Sequence, residues 1–136
     1  MNRRDDSQLR GRSIRTLAWL GDVEFEREVR LRLSRRGDYP TDRLDKLRAK
    51  LVQAEAQAAL LAALVEAGRL REDELAVVGR ARNAPVSRTA SRRSVREYRA
   101  ATALEALIAW WLVGGELDRF EALVIPAIEA QIDQLL

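Results

Sequence analysis

The 136-residue sequence contains no cysteine and no histidine. Without cysteine there is no disulfide framework and no thiolate metal site, and the composition fits a reducing, cytoplasmic compartment. Without histidine there is no imidazole to act as a general base or as a metal ligand. If the protein is an enzyme, its carboxylates are therefore the natural catalytic groups, and metal-assisted hydrolysis is the natural chemistry.

Proline and glycine are scarce, with three and seven residues respectively. β-Branched residues are few, whereas the strong helix formers Ala, Leu, Arg and Glu are abundant. Hydrophobic residues make up 47% of the chain and charged residues 33%, which is typical of a globular domain. We predict an all-α fold, a single helical bundle of five to seven helices over residues 14–136, preceded by a basic flexible tail over residues 1–13.

Long hydrophobic runs are absent as well. The most apolar segment, residues 100–115, has the sequence AATALEALIAWWLVGG and is interrupted by Glu105. It is shorter than the roughly 20 apolar residues of a membrane-spanning helix. The polar N-terminus, MNRRDDSQLRGR, lacks the apolar core of a signal peptide. We therefore expect no membrane association.

Helix boundaries follow from the apolar spacing and from the few Gly and Pro residues. The predicted helices cover Ile14–Arg36, residues 42–67, Glu72–Arg82, residues 94–113 and residues 117–135. Two of them leave an alternative open. Residues 42–67 form either one long helix or two abutting helices with a break near Gln53, and Pro126 either kinks or divides the last helix.

Lysine is nearly absent, because only Lys46 and Lys50 stand among the 24 basic residues and the other 22 are Arg. Arg binds phosphate through two parallel hydrogen bonds, which suits nucleic acid, although a GC-rich coding bias explains the count equally well. The clustering is better evidence, since residues 79–99 hold seven Arg and the single acid Glu97. This segment is either a solvated loop or a phosphate-binding surface.

Two carboxylates stand out as candidate site residues. Glu105 is the only ionisable residue of residues 100–115, and burying a carboxylate is costly unless it is paired or binds something. Asp22 follows another apolar run, in LAWLGDVEFE. Each has a structural alternative: a buried ion pair with an Arg for Glu105, and an exposed helix carboxylate for Asp22.

Four segments, in this order and spacing, resemble the catalytic domain of the ribonuclease III family, and most closely its Mini-ribonuclease III branch, which lacks a double-stranded-RNA-binding domain. They are LAWLGDVEFE, KLVQAEAQAALLAAL, GRARNAP and YRAATALEALIAWWLVGG. They look like the first catalytic helix, the Ala/Gln-rich middle helix, the start of the RNA-binding loop and the second catalytic helix. The resemblance implies the helical endonuclease-domain fold over about residues 17–125.

The resemblance also implies roles for individual residues. Asp22 and Glu105 occupy the positions of two Mg²⁺-binding catalytic carboxylates. Two further carboxylates of full-length ribonuclease III are replaced here by Arg15 and Thr102, and the Mini-III branch also carries Thr at the second position. The resemblance further implies RNA contacts in the Arg-rich segment, and we assign these to Arg80, Arg82, Asn83, Arg88, Arg92 and Arg93.

The function that the resemblance implies is an Mg²⁺-dependent endoribonuclease that cleaves double-stranded RNA, with precursor 23S ribosomal RNA as the expected substrate. The family dimerises, and Trp19, Leu20, Val23 and Phe25 beside Asp22 predict a homodimer with the first helix at its interface. The alternative is a catalytically inactive RNA-binding or ribosome-associated protein of the same fold, which Arg15 makes conceivable. A helical dimerisation module without an RNA role would leave Glu105 and the clustered Arg unexplained.

Overall fold

A computed structural model describes residues 5–85 and 95–136, and in these ranges it contains seven α-helices, one short 3-10 helix (Ser7–Gly11) and no strand. The α-helices are α1 (Ile14–Arg36), α2 (Thr41–Val52), α3 (Ala54–Glu66), α4 (Glu72–Arg82), α5 (Val95–Val113), α6 (Leu117–Leu123) and α7 (Ile125–Leu135). The predicted all-α bundle of five to seven helices is confirmed. None of the helices in the described ranges is long and apolar enough to cross a membrane.

The two open alternatives about helix boundaries are both decided in favour of a division. Gln53 separates α2 from α3 with an extended backbone, φ −63° and ψ 153°. At the end of the chain, Val124 separates α6 from α7, and Pro126 lies in the first turn of α7. A proline is tolerated there because the backbone N–H that it lacks would have no partner within the helix.

α5 is the central helix of the bundle and packs against α1, α3 and α4. Five of its alanines are buried: Ala100, Ala101, Ala103, Ala106 and Ala109. Small side chains allow neighbouring helix backbones to approach closely, whereas larger side chains of the same helix, such as Trp111 and Leu104, fill the remaining space. The buried alanines therefore allow α1, α3 and α4 to pack closely around α5.

α1 places one of its faces against α5 and leaves another in solvent. Leu17, Phe25 and Val29 are fully buried, whereas Trp19 is 71% exposed and Val23 is 63% exposed. The expectation that Phe25 belongs to an exposed patch with Trp19 and Val23 is thus wrong. Phe25 lies three residues after Asp22 and eight after Leu17, which brings it onto the core-facing side of the helix.

The chain before α1 contacts the bundle in its described part. Arg10, in the 3-10 helix, donates to the Trp110 carbonyl at 2.9 Å and to Glu116 Oε1 at 2.7 Å. A Cβ on Gly114 would overlap the Arg10 guanidinium, so the glycine leaves room for it. The division into a tail and a domain at residue 13 stays a prediction, but residues 7–11 lie against α5 rather than apart from it.

Candidate active site

An open cleft on the bundle is lined by residues from α1, α3 and α5. Its lining residues are Arg15, Ala18, Trp19, Asp22, Ala54, Gln57, Tyr98, Ala101, Thr102 and Glu105. Both predicted carboxylates are among them, although they are 83 positions apart in the sequence. The tertiary structure thus brings together the two residues that the sequence singled out.

The Asp22 and Glu105 side chains lie beside each other in this cleft, where α1 packs against α5. Burial is the largest influence on Glu105, and together with the hydrogen bond to Asp22 and the Asp22 charge it raises the Glu105 pKa to about 8. A hydrogen bond from Gln57 acts in the opposite direction, and the charge of Glu26 raises the pKa further. In the metal-free protein, burial and the neighbouring Asp22 carboxylate therefore favour the protonated form of Glu105.

The structural alternative for Glu105 was an ion pair with an Arg. Within residues 5–85 and 95–136, no Arg or Lys makes a salt bridge to Glu105. Asp22 is exposed, which agrees with its structural alternative, but its side chain faces Glu105. The cleft consequently contains two adjacent carboxylates, and no cation of the described residues forms an ion pair with Glu105.

Gly21 explains how the two carboxylates come so close. A Cβ at this position would collide with the backbone carbonyl of Glu105. Without a side chain, α1 can lie directly against α5 at this point, and the next residue, Asp22, faces the cleft at its edge. The glycine of the Gly-Asp pair is thus required for helix packing, because backbone atoms cannot move aside as a flexible side chain can.

A hard dication fits the chemistry of this pair. Mg²⁺ prefers oxygen ligands and often takes only one or two protein carboxylates, with water and substrate phosphate as the others. A bound dication would also remove the repulsion between the carboxylates that raises the Glu105 pKa. In the part of the chain that the structure describes, no three or more Asp, Glu, His or Cys side chains form a metal-binding group, so the protein would supply two ligands.

Arg15 and Thr102, the two positions that the resemblance to ribonuclease III matches with carboxylates, both line the cleft. Thr102 donates its hydroxyl to the Tyr98 carbonyl one turn earlier in α5, at 3.0 Å. Arg15 is exposed, and its guanidinium donates to the Pro85 carbonyl at 3.3 Å. Pro85 lies within the Arg-rich segment, residues 79–99. Neither residue offers an anionic metal ligand, but Arg15 adds a cation to a cleft whose other charged side chains are Asp22 and Glu105.

The predicted RNA-binding residues fall into two groups. Arg80, Arg82 and Asn83 are exposed at the end of α4. The other three, Arg88, Arg92 and Arg93, lie outside the described residues. Arg82 also lines a second open cleft, together with Arg96 and Arg99 of α5.

Residues 15–116 match the Ribonuclease III domain. This match spans both catalytic-helix segments and includes Asp22 and Glu105. The chain belongs to the ribonuclease III domain family. The resemblance seen in its four segments is confirmed, and family membership supports a ribonuclease role, RNA as the substrate class and a divalent metal as the cofactor.

Similar proteins place the chain within one branch of the ribonuclease III domain family. It is 38% identical to Mini-ribonuclease 3 of Brevibacillus brevis over 111 residues, which cover 82% of this chain and 81% of that protein. It is 39% identical to Mini-ribonuclease 3 of Desulfitobacterium hafniense over 121 residues, covering 89% and 72%. The crystal structure of protein FN1578 from Fusobacterium nucleatum is similar with a TM-score of 0.77, at 26% identity and with 91% and 94% coverage.

Sequence reasoning missed two buried polar side chains, Gln57 of α3 and Glu74 of α4. Gln57 lay in an Ala-rich segment of apparent core residues, and Glu74 lay among acids that favour a helix N-terminus. The spacing could have indicated Glu74, because it stands at the third position of α4, where a Glu side chain can bond back to the preceding backbone N–H. Gln57 had no comparable local signal.

Proposed function

We propose that this protein is an Mg²⁺-dependent endoribonuclease that cleaves double-stranded RNA, in the cytoplasm, with precursor 23S ribosomal RNA as its substrate. The observation that carries the proposal is the contact between Asp22 and Glu105 in an open cleft, without an ion pair on Glu105 in the described part of the chain. Such an arrangement costs stability, so it favours a role in binding a cation over a role in holding the fold together.

In this proposal Asp22 and Glu105 hold the metal, whose chemistry is to activate water and to neutralise charge on the scissile phosphate. Glu105 must give up its proton to serve as a ligand, and burial of its carboxylate in the apolar α5 strengthens its attraction to a cation. Asp22, at the exposed edge of the cleft, is accessible to the RNA backbone. The remaining ligands would come from water and phosphate, since no histidine is available.

The proposed RNA surface extends from this cleft to the end of α4. Arg80, Arg82 and Asn83 are exposed there, and Arg15 donates to the carbonyl of Pro85, which directly precedes residues 86–94. We assign Arg88, Arg92 and Arg93 to the same surface from the sequence alone. Duplex RNA is recognised mainly through phosphates and 2′-hydroxyls, which Arg and Asn side chains are suited to contact.

The decisive experiment measures cleavage of a long, end-labelled RNA duplex by the purified protein, with Mg²⁺ or with EDTA. Single-stranded RNA of the same sequence is the substrate control. Asp22→Asn and Glu105→Gln should each lower kcat by roughly 10³-fold or more, because each removes several kcal/mol of transition-state stabilisation through the metal. Glu24→Gln is the matched control, since Glu24 lies on α1 outside the cleft and pairs with Arg27.

The outcomes separate the proposal from its alternative. Cleavage of the duplex that requires Mg²⁺ and both carboxylates supports the endoribonuclease. A wild-type protein that binds the duplex but does not cut it with Mg²⁺ would instead identify the inactive RNA-binding protein, for which Arg15 in place of a carboxylate is the favouring observation. Equal cutting of single-stranded RNA would contradict double-strand specificity.

We also propose a two-fold homodimer with α1 at the interface. Trp19 and Val23 lie one turn apart and are 71% and 63% exposed, beside the carboxylate of Asp22. Large apolar side chains with this exposure favour burial against a partner. A two-fold arrangement would place both clefts on one surface, so that each subunit addresses one strand of a duplex.

The dimer is tested by sedimentation of Trp19→Asp and Val23→Asp at micromolar concentration. Phe25→Asp is unsuitable because Phe25 is 0% exposed, so that change would disrupt the core of a single subunit. Each of the two surface variants should sediment as a folded monomer and convert paired cuts into single-strand nicks. The control is Leu31→Asp, at a 37% exposed leucine of the same helix. A wild-type monomer that still makes paired cuts in one encounter would refute the geometry.

A further inference from the structure

Gln57 is a buried amide at the base of the cleft. It lies in α3, is 3% exposed and lines the cleft with Asp22 and Glu105. Gln57 and Glu74 are the two buried polar or charged side chains of the described residues. Burying an amide costs roughly 1–3 kcal/mol unless its hydrogen bonds are satisfied, so the partner of Gln57 identifies its role.

Gln57 and Glu105 line the same cleft across the contact between α3 and α5, and a hydrogen bond from the Gln57 amide lowers the Glu105 pKa. The amide N–H donates and the carboxylate oxygen accepts. On its other side, Glu105 meets Asp22 of α1. Three helices thus each contribute one polar side chain to a single cluster, and Gln57 is the one of the three that cannot ionise.

We propose that Gln57 is a positioning residue, whose side-chain amide holds one Glu105 oxygen so that the carboxylate faces Asp22 and the shared cation. This inference rests on the proposed function, since it assumes that Glu105 is a metal ligand. Gln57 itself contacts neither RNA nor metal in the proposal; it acts through Glu105.

The chemistry of the amide explains why a glutamine suits this position. An Arg or Lys in its place would pair with Glu105, neutralise its charge and compete with a dication. A neutral N–H donor restricts the rotation of the carboxylate without cancelling its charge. Hydrogen bonds of this kind to metal ligands typically contribute about 10–100-fold to metal affinity or activity, because a pre-oriented ligand loses less entropy on binding.

The test is Gln57→Met, which keeps the length and approximate volume of the side chain but removes the donor. Its matched control is Gln53→Met, the same substitution at an exposed glutamine whose side chain makes no capping hydrogen bond. Isothermal calorimetry with Mg²⁺ alone measures metal affinity without RNA. We expect Gln57→Met to bind Mg²⁺ about tenfold more weakly than the wild type. The control, Gln53→Met, should bind Mg²⁺ with wild-type affinity. In cleavage, kcat should fall while KM for the duplex stays unchanged.

A second measurement, an NMR titration of the wild-type protein, does not depend on whether the Gln57→Met variant folds. In the ¹⁵N spectrum of the wild-type protein, the side-chain amide signal of Gln57 should shift as Mg²⁺ is added and saturate with the calorimetric affinity. The signal of Gln131, whose amide donates to the Ala56 carbonyl at 3.4 Å, should stay in place. In Glu105→Gln protein, the Gln57 signal should no longer respond to Mg²⁺.

Failure of this inference is distinguishable from failure of the proposed function. Unchanged Mg²⁺ affinity in a folded Gln57→Met protein, or a Gln57 amide signal that ignores saturating Mg²⁺, overturns the positioning role while the carboxylate variants remain inactive. If Glu105→Gln binds Mg²⁺ and cleaves RNA like the wild type, the proposed function itself fails, and the role of Gln57 fails with it.

Discussion

Glu74 and Glu105 lie on neighbouring helices, α4 and α5, and both carboxylates are largely withdrawn from water. Glu74 is 0% exposed and accepts hydrogen bonds from the Arg71 backbone N–H at 2.8 Å, Trp111 Nε1 at 2.7 Å and Arg119 Nε at 2.8 Å. Glu105 instead faces Asp22, a second carboxylate, and in the described ranges its hydrogen-bond donor is the Gln57 amide. Glu74 is thus surrounded by hydrogen-bond donors, whereas Glu105 lies beside a second carboxylate, which is an acceptor.

The pKa values of the two glutamates move in opposite directions for this reason. Burial alone would raise the Glu74 pKa, but the hydrogen bonds from Arg119, Arg71 and Trp111 outweigh it and lower the pKa to about 2. Burial and Asp22 raise the Glu105 pKa to about 8. A buried carboxylate with all its donors stabilises the fold, whereas one left beside another carboxylate costs stability and marks a binding site.

The largest effect on stability is expected from Glu74→Gln. The variant leaves Arg119 beside a neutral amide and replaces one of the two acceptor oxygens by an NH₂ donor, which should lower the free energy of unfolding by about 3–5 kcal/mol at pH 7. Urea denaturation of this variant and of Glu72→Gln, an exposed acid in the same first turn, measures the difference.

The pH dependence of Glu74→Gln gives a second check. Because the folded pKa of Glu74 lies below its ordinary value of 4.5, its charge stabilises the wild type above pH 4.5. That contribution is lost as the pH falls from 4.5 towards 2, so the gap between wild type and variant should narrow there. A gap of less than about 1 kcal/mol at pH 7 would mean that Glu74 is not a main support of the α4–α5–α6 packing.

The same substitution at Glu105 should act in the opposite direction. In EDTA, Glu105→Gln should raise the free energy of unfolding by about 1–3 kcal/mol at pH 8.5, because the cost of the second carboxylate disappears. At pH 5, the gain in the free energy of unfolding should be small. Urea denaturation at the two pH values measures both, with Glu66→Gln, an exposed acid at the end of α3, as the control.

The sign at Glu105 follows from its raised pKa. Below pH 4.5 the folded and unfolded chains both hold the proton, so there is no penalty; between 4.5 and about 8 the unfolded chain releases it first, and wild-type stability falls. Above pH 8 the penalty is constant. A Glu105→Gln protein that is less stable than the wild type at pH 8.5 would show that the carboxylate pair is a structural support after all.

The smallest effect is expected at the edge of the Glu74 network. Glu116 accepts from Arg10 and from Arg71, at 2.7 Å each, and Arg71 also lies 3.4 Å from Glu74. Arg10→Gln should cost about 1 kcal/mol, because these outer groups remain partly hydrated. Thermal unfolding should show the loss, and Arg12→Gln, at an exposed Arg, should not. An Arg10 effect as large as that of Glu74→Gln would mean that the network lacks a buried centre.

Local features of the sequence were sufficient for most of the fold. The start of α1 and the end of α3 follow from apolar spacing and from flanking residues: the Ser13 hydroxyl accepts the Thr16 N–H at 3.2 Å, and Gly68 adopts a φ of 65° after α3. These signals act over a few residues, which is why they can be recognised without tertiary structure. The lone glutamate of residues 100–115 was a candidate site residue because of its apolar surroundings, whereas Asp22 of the Gly-Asp pair became one mainly through the resemblance to the ribonuclease III family.

Contacts between distant helices decided the rest. The sequence determined that Asp22 and Glu105 were unusual, but only the packing of Gly21 against the Glu105 backbone brought them together. It offered 22 Arg as partners for a buried carboxylate, yet Arg119 pairs with Glu74, and in the described structure Glu105 has Asp22 and Gln57 instead. The apolar pattern of α1 placed Val23 and Phe25 in one exposed patch, whereas Val23 is 63% exposed and Phe25 is 0% exposed. Which side of α1 faces the core depends on where α5 packs against it, and no local sequence pattern contains that information.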